Sequence, residues 1–401
     1  MDIINLYEKS ENLFFVGGIV RDELLGKQSP DIDLTFVGNA IDFAHSLNFG
    51  EITQINEEFG SVHLNIDNKT VDITSTRTER YPNKGQLPVV DTIACALKDD
   101  VKRRDFTINA IAKNCKSGKI VDYVGGIEDL KNKTLRILHD ESFIDDPTRI
   151  IRGLKFAVRF GFELDEHTKK LQDEYLENVD YNMSFKRLKD ELVDAFNLNN
   201  QEVLHKFIEQ KMYKLLSLKQ NNVKEFDVQA IVDKYSSEIK NIWICYLGSF
   251  NLSNLPLTKS EMKIIEDYKK LLNADLSSDF KIYKAFEKVE IESLILLAQT
   301  KKDIVEKYLD KLRKIKLQIT GEDLIKMGYK PSKKFAQVLD AVLQAVIENP
   351  TLDHVQQLGM VEKFMWTFVK TMPCMALKGL KQELSCEYGY HKELEGLQVD
   401  S

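Results

Sequence analysis

The segment FVGGIVRDELLGKQSPDIDLTF, Phe15–Phe36, concentrates residue types that handle phosphate and metal ions. A short apolar strand ends at Val16, Gly17 and Gly18 turn the chain, and a helix begins near Ile19. Glycines at such a turn let backbone N–H groups approach a phosphate closely, and a helix N-terminus adds partial positive charge. Arg21, one turn into the helix, is placed to reach a triphosphate oxygen. Asp31 and Asp33 then alternate with Ile32 and Leu34 on a strand, so both carboxylates face one side. Two carboxylates one pleat apart can bridge Mg²⁺ for an in-line displacement at phosphorus, which makes Asp31 and Asp33 the candidate metal ligands. Asp72, in TVDITSTR, is a third candidate acid, because Val71 and Ile73 claim the apolar face and Asp72 takes the other. Gly-Gly alone is a turn, Asp-x-Asp alone is common, and the lesser reading of Asp72 is an exposed strand residue. Their order along strand, turn, helix and strand is what carries the chemistry.

The elements that must position these groups have two textures. Up to about residue 140 the chain carries short β-like runs at Leu13–Val16, Asp31–Val37, Ser61–Ile66, Thr70–Thr74 and Lys119–Tyr123. Helical patterns lie between them at Ile19–Leu25, Ala40–Leu47 and Asp105–Ala112. From Asp145 the β signal fades, and Asp145, Asp146 and Pro147 suit the start of a helix. Ile150, Ile151, Leu154, Phe156, Val158 and Phe160 make that helix largely apolar and suited to burial between neighbours. Further helical patterns follow at Met183–Phe196, Glu202–Leu216, Ser260–Leu272, Ile282–Gln299, Lys302–Lys314 and Lys334–Ile347. The 401 residues suit about two to four domains. The expected fold is α+β: a head with a mixed β-sheet at 1–140, a helical neck at 141–200, a helical body at 201–300 and a helical tail at 301–401.

Composition excludes several classes. Hydrophobic residues at 43% and charged residues at 30% rule out global disorder. Five scattered cysteines (Cys95, Cys115, Cys245, Cys374, Cys386) without a C-x-x-C pair read as reduced thiols. The polar, acidic start MDIINLYEKSE is not a signal peptide, and the apolar stretch Ile242–Leu257 is interrupted and too short to span a bilayer. A cytoplasmic protein with no membrane association is expected. The seven histidines have no metal-ligand spacing. Net charge is −7, yet Lys301–Asp340 holds eleven Lys or Arg against six Asp or Glu. That segment reads as a solvated helical face or as an RNA-backbone contact. The polar ending CEYGYHKELEGLQVDS suits a disordered terminus, and the Met and aromatic residues after Asn349 a packed terminal helix.

With these residues in view, GGIVRDELLG followed by DIDLTF resembles the class II tRNA nucleotidyltransferase and bacterial poly(A) polymerase family, of the DNA polymerase β-like superfamily. The resemblance continues in RRDFTINAIA (Arg103–Ala112), DYVGGIEDL (Asp122–Leu130), DDPTRIIRGLKFAVRFGF (Asp145–Phe162) and MSFKRLKDEL (Met183–Leu192), and more loosely in ITGEDLIKMGYKPSKKFAQVL (Ile319–Leu339). It implies a polymerase β-like head, Mg²⁺ as cofactor, and addition of CMP and AMP to the tRNA 3′ end from CTP and ATP, with the helical region holding the acceptor arm. It also implies nucleotide binding by Gly17, Gly18, Arg21, Arg104, Asp105, Asn109, Asp146, Arg149 and Arg152, and catalysis by Asp31, Asp33 and Asp72. The bare reading of RRDFTINA is a helix capped by Asp105, with Asn109 pointing outward.

The resemblance further implies that Asp146 and Arg149, at i and i+3 on one helical face, template the incoming base. A carboxylate only accepts hydrogen bonds and a guanidinium only donates. Cytosine and adenine offer an exocyclic amino group beside a ring-nitrogen acceptor, which complements the pair; uracil and guanine reverse the pattern. Without the family, the same two residues read as an intrahelical surface pair. Asp145 departs from the Glu found in many family members. Arg77–Lys102 resembles the family's flexible loop at full length, which disfavours addition of CC alone. A-adding, CC-adding and poly(A) enzymes remain alternatives, as does an inactive RNA-binding relative.

Overall fold

The structure, a computed structural model, describes residues 2–29, 32–217, 223 and 225–370, with backbone only for 366–370. Asp31, Cys374, Cys386 and the polar ending therefore lie outside the described residues. The chain divides into two compact units, residues 1–266 and 267–401.

The first unit opens with α1 (Asp2–Glu8), β1 (Leu13–Val16), α2 (Gly18–Leu24), β2 (Ile32–Phe36) and α3 (Ala40–His45). It continues through β3 (Glu51–Asn56), β4 (Ser61–Ile66), β5 (Lys69–Ser75), β6 (Arg77–Arg80), β7 (Val89–Ile93), α4 (Leu97–Asp100), β8 (Ala112–Asn114) and β9 (Ile120–Val121). Seven strands form one mixed sheet in the order β3-β4-β5-β2-β1-β8-β9. All its pairings are antiparallel except β2 with β5, which is parallel. Alternation explains the core: Leu34, Val71, Ile73, Val62, Leu64 and Ile66 turn to one face and pack with Leu6, Leu13, Ala40 and Ala44. The opposite residues of β2 and β5 are left for the other face. Asn39 starts α3 by accepting from the Ile41 and Asp42 amides.

After the sheet come α5 (Gly126–Lys131), α6 (Ser142–Asp145), α7 (Thr148–Phe160), α8 (Glu166–Glu177) and α9 (Phe185–Phe196). Gly161, at φ 70, ends α7 in the left-handed conformation that glycine tolerates. Ile150, Ile151, Leu154 and Phe156 are buried, as their pattern predicts.

Three expectations are corrected. Asp105–Ala112 is not a helix: one 3₁₀ turn, Thr107–Asn109, leads directly into β8. The sheet claims Ala112–Asn114 beside β1, and α5 packs so closely that a Cβ on Gly126 would collide with the Thr107 carbonyl. Arg77–Lys102 carries structure, an antiparallel ribbon of β6 with β7 followed by α4. Ile282–Gln299 is interrupted, since Asp279–Phe286 and Ile291–Asp310 are separate helices.

In the second unit, non-helical angles at Lys301 mark the break expected between Gln299 and Lys302. Gly321–Lys326, Lys333–Glu348 and His354–Lys370 follow. Ile319, Leu324, Phe335, Val338, Val342, Val346 and Val361 form their core. Among the described residues, no helix is long and apolar enough to cross a membrane.

Candidate active site

A cleft of about 620 Å³ lies wholly within the first unit and gathers most of the singled-out residues. Its floor is the exposed side of the sheet. Asp33 and Asp72 are register partners across the parallel β2–β5 pairing, and both line the cleft. That pairing brings together two acids far apart in sequence. His63, the cross-strand neighbour of Asp72 on β4, bonds the Asp72 carboxylate through Nδ1. Among the described residues no set of three metal-ligating side chains is assembled. The two registered carboxylates are hard oxygen donors suited to a divalent cation.

Gly17 and Gly18 form one edge. Gly17 has φ 71 and ψ −130, which a side chain would strain, and Arg104 lies across it. Arg21 is engaged inside the protein. It is 4% exposed, donates to Asn109 Oδ1 at 2.6 Å and Asp22 Oδ1 at 2.8 Å, and stacks on Phe160 and Phe156 of α7. Burial pulls its pKa down, against the opposing pull of Asp22.

From Arg21 an unbroken ladder crosses the cleft wall. Asn109 Nδ2 donates to Asp105 Oδ1 at 3.0 Å, and Arg152 reaches Asp105 Oδ2 at 2.7 Å. Arg152 also bonds Glu191 of α9 at 3.0 Å, and Lys155 bonds the second Glu191 oxygen. Burial alone would raise the Asp105 pKa, but the Arg152 charge and bonds from Asn109 and the Phe106 amide hold it at about 2. Asn109 thus points inward, and both ends of its amide are used. Arg104 pairs with buried Asp100, while its Nε is buried without a hydrogen-bond partner.

The Asp146–Arg149 pair departs from its expected geometry. Asp146 is not on the helix; it sits extended (φ −144, ψ 91) ahead of Pro147, and α7 begins at Thr148. Proline restricts the residue before it to extended conformations, which takes Asp146 off the α7 face. Its carboxylate bonds Thr148 and Arg187. Arg149, 4% exposed, donates to Ser142 Oγ at 2.6 Å and the Arg103 carbonyl at 3.0 Å. Both residues still line the cleft.

Sequence reasoning passed over Lys155, Arg159, Tyr81 and Arg187, which also line it. Arg149, Arg152, Lys155, Phe156 and Arg159 recur at helical spacing, a signal visible beside the apolar stripe. Tyr81 and Arg187 lack that spacing, but they fall in the segments Arg77–Lys102 and Met183–Leu192 that carried the resemblance. Nine cationic side chains and six carboxylates line the cleft among the described residues. It is cationic on a chain of net charge −7, which favours a polyanionic ligand.

Comparison with known proteins points to one family. Residues 13–136 match the poly A polymerase head domain. The chain is 33% identical over 79% of its length to an A-adding tRNA nucleotidyltransferase of Aquifex aeolicus, of which it spans 43%. It is 30% identical over 82% of its length to the A-adding tRNA nucleotidyltransferase of Halalkalibacterium halodurans, spanning 83% of that protein. It is also 30% identical over 86% of its length to the CCA-adding enzyme of Enterococcus faecalis, spanning 90%. Among solved structures, an apo CCA-adding enzyme superposes with TM-score 0.76 at 26% identity, covering 90% of this chain and 96% of that one. A Thermotoga maritima CCA-adding enzyme complexed with tRNA superposes with TM-score 0.71 at 26% identity, covering 91% and 95%.

Proposed function

The chain belongs to the tRNA nucleotidyltransferase family, and from that membership and the cleft we propose that it adds CMP and AMP to tRNA 3′ ends, using CTP and ATP without a nucleic-acid template. The observation that carries the reading is the single cationic cleft shared by Asp33, Asp72, Asp146 and Arg149. Acids suited to phosphoryl chemistry and an acceptor–donor pair suited to a base thereby face one volume. In the reaction the tRNA 3′-hydroxyl oxygen attacks the α-phosphorus, a new P–O bond forms, and pyrophosphate leaves.

Asp31 and Asp33 would hold Mg²⁺, which supplies charge neutralisation at the reacting phosphate when bound. Asp72 aligns the attacking hydroxyl. Gly17, Gly18 and Arg104 border the triphosphate, and Asp105, Asn109 and Arg152 shape the ribose side. Arg21 contributes by holding Asn109. Asp146 accepts from the exocyclic amine of C or A while Arg149 donates to the ring nitrogen. Catalysis on this reading is positioning and charge compensation. The basic segment Lys301–Asp340 contacts the tRNA backbone, and the protein works in the cytoplasm.

A second reading, addition of AMP alone, draws on the A-adding names of two of the relatives. Purified protein is incubated with tRNA lacking CCA and with tRNA lacking only the final A, each with CTP, ATP or both. CCA addition gives CMP incorporation on the first substrate and AMP on the second. The A-adding reading gives AMP on the second alone, and no incorporation on either substrate overturns both.

A further inference from the structure

Asp146 is held from two sides. Oδ1 accepts from the Thr148 amide at 3.2 Å and from the Thr148 hydroxyl at 2.6 Å, and Oδ2 accepts from Arg187 Nη2. A carboxylate offers about four lone-pair directions. Three are filled, so one acceptor direction remains, on Oδ2. Arg149 is limited in the same way. One Nη1 hydrogen goes to Ser142, and Nη2 serves the Arg103 carbonyl and, at 3.4 Å, the Tyr81 hydroxyl. What remains is one acceptor beside a small set of donors, the complement of an amino group beside a ring nitrogen.

Arg187 comes from α9, 41 residues from Asp146. Its other terminal nitrogen, Nη1, is buried with no hydrogen-bond partner. A buried donor without an acceptor is costly, so this placement serves the bond to Asp146 better than it serves stability. Arg187 also lines the cleft, on the side where Asp146 does.

We propose that Arg187 is a positioning residue that sets base selectivity by occupying one direction of Asp146 Oδ2 and fixing the carboxylate plane. The proposal rests on the reading of Asp146 and Arg149 as the base-contacting pair. Without Arg187, Oδ2 has two free directions and the carboxylate can turn about its Cβ–Cγ bond. A second acceptor direction then receives the ring N–H of uracil or guanine, which the intact site leaves unpaired. Selectivity falls because wrong bases gain a partner and right bases lose a fixed one.

The test is kcat/KM for CTP, ATP, UTP and GTP on tRNA lacking its terminal nucleotides, for wild type, Arg187→Ala, Arg187→Lys and Arg149→Ala. Arg187→Ala should lower the CTP/UTP and ATP/GTP ratios by about tenfold or more, the scale of one charge-assisted hydrogen bond. Arg187→Lys should recover part of the ratio, since an ammonium can still donate to Oδ2. Equal losses for all four nucleotides, with ratios within about twofold of wild type in both Arg187 variants, would mean a purely structural prop and overturn the proposal. If Arg149→Ala shifts the ratios and the Arg187 variants do not, the base-reading pair stands and the proposal falls; if none shifts them, both fall. Should Arg187→Ala not fold, Thr148→Val carries the test beside Arg187→Lys, because removing the hydroxyl frees one direction on Oδ1 and should move the ratios the same way.

Discussion

At the scale of single residues, the proposed reading distinguishes groups that select a nucleotide from groups that any nucleotide needs. On that reading Asp33 belongs to the second kind: it sits in register with Asp72 on the cleft floor, and the base is assigned to Asp146 and Arg149. Asp31 lies outside the described residues, and its pairing with Asp33 rests on the alternation of the sequence alone. Replacing Asp31 or Asp33 with Ala should therefore abolish incorporation of CMP and AMP alike, by a factor of about a thousand or more for a lost transition-state charge partner. Single-turnover assays across a Mg²⁺ titration check this. Near-normal turnover in either variant would remove that residue from the metal site. Arg21 shows how neighbours redirect a residue. The same guanidinium that suits a triphosphate lies against the rings of Phe156 and Phe160 and is committed to Asn109.

At the scale of elements, the ladder from Arg21 through Asn109, Asp105, Arg152 and Glu191 ties α2, the 3₁₀ turn, α7 and α9 together. Its centre is a buried carboxylate whose charge depends on Arg152. Arg152→Met leaves that charge without its cation, and stability at pH 7 should fall by about 3–5 kcal/mol. The sign of the pH dependence follows from Asp105. In the wild type its pKa is depressed to about 2, so its stabilising contribution is complete above the unfolded-state value and is lost as pH falls through about 2. In the variant, burial raises the pKa, and protonating Asp105 relieves the isolated charge. The gap between variant and wild type should therefore narrow as pH drops from 7 toward 4. Urea unfolding across that range measures it, and a gap independent of pH would show that Asp105 is not the group affected.

At the scale of the whole molecule, an acidic chain is proposed to hold an acidic partner, which requires local cationic surface. Lys311, Lys314 and Lys316 are exposed in the second unit, within the basic segment assigned to the tRNA backbone. Replacing all three with Glu should weaken tRNA binding at low salt and reduce the slope of log affinity against log salt by about 2–3. CTP binding in the first unit should be unaffected. An unchanged slope would return the segment to a solvated face.

Sequence alone determined what local pattern can encode. Alternation in Ile32–Phe36 and Lys69–Ser75 assigned Asp33 and Asp72 to the polar side, since a strand turns each successive side chain to the opposite face. Glycine spacing located the turn before α2, and helical periodicity located α7 and α9. The ordered motifs indicated the family. Local pattern failed where the sheet competed for residues, as in Ala112–Asn114, and where short polar strands such as β3 and β6 lacked apolar alternation. Only tertiary structure decided the partners. The parallel pairing of β2 with β5 set two distant acids side by side, Arg21 met Asn109 across 88 residues, and Arg187 reached Asp146 across 41. Such bonds form because packing brings buried charged groups to the nearest compensating charge or dipole, and periodicity along a chain carries no record of which element will be nearest.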